Sequence, residues 1–178
     1  MLWFLLACST SAPSFPPPPP ANSPDGLVNG EYVPDFQLPY ADGSGQTWHL
    51  YEQVNKEGTG KSQGVILGLM ASWCGYCRNS LPTVNELHKT YGDRISIVII
   101  DVDADAAGAK KEAEIIANAG LSLPVLWSDA ATRKALVGDS QSIPRFLFVN
   151  KIAEVLVQDR GFGEKVRPMM PKQAEMIL

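Results

Sequence analysis

A pair of cysteines, Cys74 and Cys77, stands where a strand pattern passes into a helix pattern. The residues before the pair, Val65 to Met70, form a short apolar run with the length and composition of a buried strand. The residues after it are typical of a helix that continues to about Tyr91. The spacing therefore predicts that Cys74 lies at a helix N-terminus and that Cys77 lies one turn inside the helix.

This placement favours thiol chemistry. The unpaired N–H groups and the dipole of a helix N-terminus stabilise a thiolate relative to a thiol at Cys74. Disulfide exchange needs one accessible thiolate that attacks and a second thiol that resolves the mixed disulfide. We therefore interpret Cys74 as the nucleophile and Cys77, which should be shielded, as the resolving cysteine. Such a site needs no cofactor beyond a redox-active Cys74–Cys77 disulfide.

The composition argues against several other classes of protein. The 178 residues suffice for one domain with a proper core. The net charge of −4 is spread without a basic stripe, so we expect no nucleic-acid partner. Three cysteines are too few for a disulfide-stapled scaffold. A zinc site needs two further ligands, and the only histidines, His49 and His88, are distant from the pair, so we expect no metal.

The N-terminus is similar to a lipoprotein signal. Residues 1–7 are apolar, and the segment Leu5–Ser9 resembles the lipobox of bacterial lipoproteins, in which the signal is cut before a cysteine that is then acylated. The resemblance implies that Cys8 is a lipid anchor. An ordinary secretory leader and a chance apolar N-terminus are the alternatives, whereas seven residues are too few to span a bilayer.

A proline-rich stretch separates this segment from the rest of the chain. Residues 9–25 are rich in serine and proline and include five consecutive prolines, which predicts a semi-rigid polyproline II spacer. We therefore divide the chain into a signal-like segment (1–7), an anchor cysteine with its linker (8–30) and one domain (31–178).

Strand and helix patterns alternate through that domain. Residues 34–39 and 46–50 alternate apolar and polar side chains around a turn-rich segment, which predicts a β-hairpin. Pro82 lies inside the helix that follows Cys77, where it predicts a kink rather than a stop. The later patterns predict a sheet with a parallel core and helical crossovers. The predicted strands are at 95–102 and 123–127, the helices at 106–119 and 130–137, the terminal strand pair at 142–149 and 153–158, and the last helix at 171–178.

Four features in this order resemble the thioredoxin superfamily, and its TlpA/ResA and redoxin branches in particular. The motif Trp73–Cys77 is similar to the family's active-site motif, and Pro82 has the family's distance from the first cysteine. The segment Pro34–Phe36 is similar to the start of the hairpin that these branches carry. Ile143–Pro144 resembles the segment in which a cis-proline opens a strand beside the motif. The resemblance implies an α/β thioredoxin fold, a central mixed sheet flanked by helices, with an added N-terminal β-hairpin.

The resemblance also implies roles for the residues around the cysteines. Trp73 should shield the site on one side, with a core position as the alternative. The residue before a cis-proline offers backbone hydrogen bonds to an extended substrate, and a plain strand-opening proline is the alternative for Pro144. The substrate-binding residues that we expect are Trp73, Gly75, Tyr76, Ile143 and Pro144.

One departure from the family concerns proton transfer. Thioredoxin has a buried acid in the strand before the motif, which moves protons to and from the resolving cysteine, and the corresponding residue here is Gly68. Asp101, Asp103 or Glu86 could take over this role through water. We expect each of the three to be an ordinary surface carboxylate, with this proton transfer as the alternative.

These features together predict a thiol-disulfide oxidoreductase that exchanges its disulfide with protein clients outside the cytoplasm. We expect a periplasmic or cell-envelope monomer, anchored through Cys8 and served by a membrane or periplasmic electron donor. A redoxin-type thiol peroxidase is one alternative, although such enzymes place threonine or serine three residues before the reactive cysteine, where this chain has Ala71. A non-catalytic binding module is another, and it would not need an intact CxxC pair.

Overall fold

The computed structural model of the chain describes residues 25–140 and 142–178. The predicted signal-like segment, the acylation site at Cys8 and nearly all of the proline-rich spacer lie outside the described residues. These features, and the division of the chain at residues 7 and 30, therefore stay predictions.

A small hairpin precedes the central sheet. Strand β1 (Gln37–Pro39) pairs antiparallel with β2 (Thr47–His49), and the one-turn helix α1 (Leu50–Gln53) follows. Leu38 and Trp48 alternate inward from the two strands and are buried. The predicted hairpin is therefore confirmed, with strands of only three residues each.

Five strands form the central sheet, and four helices accompany them. In chain order the remaining elements are β3 (Gly64–Met70), α2 (Gly75–Tyr91), β4 (Ile95–Asp101), α3 (Ala106–Asn118), β5 (Val125–Trp127), α4 (Ala130–Val137), β6 (Arg145–Asn150), β7 (Val155–Arg160) and α5 (Met170–Met176). The strand order is β5-β4-β3-β6-β7. Strands β3, β4 and β5 run parallel, β6 is antiparallel to β3, and β7 is antiparallel to β6.

The central strand β3 is apolar on both faces because both faces of the sheet are covered. Ile66 and Met70 belong to a core shared with α2, α3 and α5. We call the side of the sheet that carries this core the α2 face. Leu67 and Leu69 belong to a second core shared with the hairpin and α4. All seven residues of β3 are buried, as a continuous apolar run predicts for an inner parallel strand.

Helix boundaries follow the signals in the sequence. Asp129 caps α4 by accepting a hydrogen bond from the backbone N–H of Thr132 at 2.6 Å. Helix α2 continues through Pro82, so this proline does not stop it. In the part of the chain that the structure describes, no helix is long and apolar enough to cross a membrane.

Candidate active site

Cys74 is the N-cap residue of α2, as the strand-to-helix pattern predicts. Its Sγ accepts a hydrogen bond from the backbone N–H of Cys77 at 3.1 Å. The two cysteines form a disulfide with their Cα atoms 5.3 Å apart. Both sulfur atoms therefore lie at the N-terminus of α2, joined by the disulfide bond.

Cys77 is shielded as expected, whereas Cys74 is more buried than an accessible nucleophile is expected to be. Cys77 is 1% exposed, so the predicted shielding is confirmed. Cys74 is also buried, with 5% of its surface exposed. In the oxidised pair Sγ of Cys74 faces the first turn of α2, where it accepts the Cys77 N–H, and only a small edge of Cys74 faces solvent.

Two large aromatic side chains stand exposed beside the disulfide. Trp73 is 61% exposed and Tyr76 is 69% exposed, although both residues lie next to buried cysteines. A core position for Trp73 is therefore wrong. Gly75, between the cysteines, is also exposed. Exposed aromatic surface of this kind is typical of a site that binds another molecule.

The predicted cis-proline is confirmed and begins a strand. The Ile143–Pro144 peptide bond is cis, and β6 begins at the next residue. Pro144 is buried, whereas Ile143 is partly exposed. Ile143 and Trp73 line the same groove of about 370 Å³, with α4 along its other side. The structure thus brings two of the five expected substrate-binding residues together on one groove beside the CxxC pair.

The site differs from thioredoxin at Gly68, in the middle of β3. A Cβ atom at this position would lie 2.9 Å from Cδ1 of Ile99 and 3.3 Å from Cε1 of Phe146. These neighbours fill the space on the α2 face, so an acidic side chain at residue 68 would have to displace them.

Three buried carboxyl groups lie instead where β4 ends and α3 packs. Asp101 is fully buried, Asp103 is 6% exposed and Glu112 is 2% exposed. The expectation that Asp101 and Asp103 are surface carboxylates is therefore wrong, whereas Glu86 is exposed as that expectation has it. We call Asp101, Asp103 and Glu112 the acid cluster.

Sequence reasoning missed Glu112. Its signal is weak, because a helical glutamate that follows two lysines, Lys110 and Lys111, is typical of a solvated surface. The spacing gives a clue: Ala109, Glu112 and Ile116 are three and four residues apart, so they share one face of α3, and all three are buried.

Hydrogen bonds connect the acid cluster to the segment that carries the cysteines. Oδ2 of Asp103 accepts a hydrogen bond from the backbone N–H of Ser72 at 2.9 Å. Oδ1 of Asp101 accepts one from the backbone N–H of Asp103 at 3.0 Å. From the other side, Nη1 of Arg78 donates to the carbonyl oxygen of Ser72 at 3.0 Å. The loop before Cys74 is thus held between the cluster and α2.

Burial perturbs two members of the acid cluster. Desolvation raises the pKa of Asp101 to about 8, and the nearby charges of Asp103 and Glu112 add to the rise. Desolvation likewise raises the pKa of Glu112 to about 7, with Asp103 adding to the shift and the Arg78 guanidinium opposing it. Both groups therefore exchange a proton close to neutral pH.

The raised pKa of Asp101 predicts a pH-dependent stability. Between the ordinary pKa near 4 and about 8, the unfolded chain has lost this proton while the folded chain keeps it, so the free energy of unfolding falls as the pH rises. We expect Asp101→Asn to flatten that fall between pH 5 and pH 8. Denaturant unfolding at both pH values measures it, with the exposed Asp93→Asn as the control. An equal fall in wild type and Asp101→Asn would contradict the assignment.

Arg145, the residue after Pro144, points toward the end of α4 and not toward the cysteines. It is fully buried, and Nη1 donates to the carbonyl oxygens of Asp25 at 2.6 Å and Val137 at 3.2 Å. Desolvation lowers its pKa to about 10, so the guanidinium remains charged near neutral pH. Arg145 therefore ties the start of β6 to the end of α4 rather than acting on the disulfide.

Within residues 25–140 and 142–178, no group of three or more histidine, cysteine or acidic side chains is arranged to hold a metal ion. Nε2 of His49 lies 2.9 Å from Oδ2 of Asp35, in the hairpin region.

Known proteins match the part of the chain that carries the cysteine pair. The thioredoxin family model matches residues 46–119. The thioredoxin of Mycolicibacterium smegmatis is 33% identical over 82 residues, which cover 44% of this chain and 69% of that protein. The chain belongs to the thioredoxin family. It also matches the thioredoxin-like protein YneN of Bacillus subtilis, with 27% identity over 57% of this chain, and it spans only 54% of that relative.

Solved structures confirm the fold. A protein described as the thiol:disulfide interchange protein DsbE from Chlorobium tepidum is 22% identical, with a TM-score of 0.69 over 85% of this chain and 99% of that one. The exposed lipoprotein thioredoxin Etrx1 of Streptococcus pneumoniae is 26% identical, with a TM-score of 0.57 over 80% of this chain and 99% of that one. The predicted membership of the thioredoxin superfamily and the predicted thioredoxin fold with its added hairpin are both confirmed.

Proposed function

We propose that this chain is a thiol-disulfide oxidoreductase that exchanges its Cys74–Cys77 disulfide with protein clients outside the cytoplasm. The observation that carries the proposal is the disulfide itself, placed at the N-terminus of α2. Membership of the thioredoxin family supports it. A sulfur atom at a helix N-terminus leaves readily as a thiolate, because the helix N–H groups and dipole stabilise its charge.

The exchange has two steps. In the reducing direction, the Cys74 thiolate attacks a client disulfide, forms a mixed disulfide and releases one client sulfur as a thiolate. The Cys77 thiol then loses its proton and attacks Sγ of Cys74, which releases the second client sulfur and forms the Cys74–Cys77 disulfide. The client gains two electrons and the protein loses two. In the oxidising direction the same steps run in reverse.

The surroundings of the disulfide favour a protein client. Trp73 and Tyr76 present apolar surface to solvent, and Trp73 shares a groove with Ile143. The backbone of Ile143, before the cis-proline, is where we propose that an extended client segment pairs. Gly75 lies between the cysteines, where the lack of a side chain allows close approach of a client backbone.

The cellular context is part of the same proposal. The lipobox-like segment around Cys8 supports export and acylation at the cell envelope. The similarity to a pneumococcal protein described as an exposed lipoprotein thioredoxin is consistent with this location. We propose a monomer that a membrane or periplasmic donor supplies with electrons, with no cofactor other than its disulfide.

Insulin reduction tests the proposal. With dithiothreitol as the electron source, the purified protein should accelerate the precipitation of insulin chains, and it should not accelerate the consumption of hydrogen peroxide. A peroxidase would show the opposite pattern, although the buried Ala71 lacks the hydroxyl that such enzymes place before the reactive cysteine. A non-catalytic binding module would accelerate neither reaction.

A further inference from the structure

We propose that Asp101 and Glu112 carry the proton that enters and leaves Cys77 during disulfide exchange. The inference rests on the proposed function, because this proton moves when the cysteine pair is oxidised or reduced. In thioredoxin a buried acid at the position of Gly68 transfers this proton. We assign the same transfer here to two carboxyl groups of the acid cluster.

The position of Asp101 in the sheet fits this task. In the parallel register, Gly68 lies opposite Ile99, and Met70 lies opposite Asp101. Side chains two residues apart on a strand share a face, so Asp101 is on the same face as Ile99, which shares a core with Cys77. Asp101 therefore lies on β4, the strand next to β3, two residues beyond the level of Gly68. This shift brings it nearer to the end of β3, where the CxxC segment begins.

The environment of both carboxyl groups favours a bound proton. Asp101 is fully buried and Glu112 is 2% exposed. Among the described residues, neither Oδ2 of Asp101 nor Oε2 of Glu112 has a hydrogen-bond partner. An ionised carboxylate with an unpaired oxygen in a core is costly, whereas a protonated one is neutral. With the pKa of Asp101 near 8 and that of Glu112 near 7, the pair can accept or release a proton close to neutral pH.

The neighbouring charges have different roles. Asp103 accepts the hydrogen bond from Ser72 and therefore positions the CxxC segment. Arg78 on α2 opposes the rise in the pKa of Glu112. Arg133 on α4 donates to the carbonyl oxygen of Asp103 at 3.2 Å, which fixes the loop after β4. These three side chains surround Asp101 and Glu112, whose carboxyl groups each keep one oxygen without a hydrogen-bond partner among the described residues and exchange the proton.

When Cys77 attacks Sγ of Cys74, its S–H bond breaks and the proton passes to whichever of the two carboxyl groups is ionised. The new Cys74–Cys77 bond forms as the bond from Cys74 to the client breaks, and the client sulfur leaves with the electron pair. In the reverse direction, the cluster returns the proton to the departing Cys77 thiolate.

The test compares Asp101→Asn, Glu112→Gln and the double variant with wild type in the full chain. Glu114→Gln is the matched control, because Glu114 is an exposed carboxylate on the same helix. The rate of mixed-disulfide formation, measured in the Cys77→Ala background, should change less than about twofold. Resolution of the mixed disulfide should slow at least about tenfold in the double variant, since general acid–base catalysis typically contributes more than this. The pH dependence of the resolution rate between pH 6 and 9 should also differ between the double variant and wild type.

A second readout does not depend on client exchange. The rate of alkylation of Cys77 in a Cys74→Ser background follows the titration of the Cys77 thiol, and this titration should shift in Glu112→Gln and Asp101→Asn but not in Glu114→Gln. Unchanged titration and unchanged resolution rates in both cluster variants would overturn the inference. If wild type fails to reduce insulin, the proposed function fails, and the alkylation experiment still decides whether the cluster is coupled to Cys77. Should Asp101→Asn not fold, the titration of the Cys77 thiol in Glu112→Gln decides: a shift supports the inference and an unchanged titration overturns it.

Discussion

Replacing Cys74 with serine should lower the rate of insulin reduction by roughly 10³-fold or more, because the sulfur atom that we propose attacks the client disulfide is lost. A serine hydroxyl at the same helix N-terminus stays protonated near neutral pH and is a poor nucleophile toward disulfides. The measurement is the initial rate of insulin reduction with dithiothreitol, corrected for the rate without protein.

Cys8→Ser is the matched control for this substitution. It makes the same chemical change at the third cysteine, which we place in the membrane tether and not in the exchange site. We expect its rate with the purified protein to equal that of wild type. If Cys74→Ser kept more than about a tenth of the wild-type rate, the CxxC pair would not be the reacting group.

The second large effect concerns stability. Arg145→Ala should lower the free energy of unfolding by about 2–4 kcal/mol, because it removes a fully buried side chain and leaves two backbone carbonyl oxygens without their charged donor. Those carbonyls belong to Asp25 and to Val137 at the end of α4, so the substitution also loosens the element beside the client groove. Denaturant unfolding of the oxidised protein measures the change.

Arg160→Ala is the control for this prediction, because it removes the same charged group from an exposed position. Arg160 also binds Asp25, with Nη1 2.9 Å from Oδ1, but this pair is largely exposed. Exposed ion pairs contribute at most about 1 kcal/mol, so we expect a small loss of stability. Equal losses for Arg145→Ala and Arg160→Ala would contradict the structural role assigned to the buried arginine.

Much of the fold could be predicted because local signals and the resemblance agree. The apolar run of β3, the helix start at Cys74 and the cap at Asp129 each fix an element through nearest neighbours in the chain. The cis bond before Pro144 could be predicted only from the resemblance, since most such bonds are trans.

The acid cluster could not be predicted in the same way. Asp101 ends a strand and Asp103 follows it, and both positions are usually solvated; here α3 and the CxxC segment cover them. Glu112 is buried because α3 packs its Ala109–Ile116 face inward, which depends on tertiary contacts. The exposure of Trp73 likewise depends on where the groove lies, since a tryptophan beside a buried cysteine is equally compatible with a core position.

The most direct test of the central claim is to trap the mixed disulfide. The Cys77→Ala variant of the full chain is reduced, freed of reductant and mixed with a peptide that contains one disulfide, and the products are measured by intact mass and peptide mapping. We predict a single covalent adduct on Cys74 that dithiothreitol releases and that is lost when Cys74→Ser is added to the variant. The absence of an adduct, or an adduct that persists without Cys74, would contradict the assignment of this protein as a thiol-disulfide oxidoreductase.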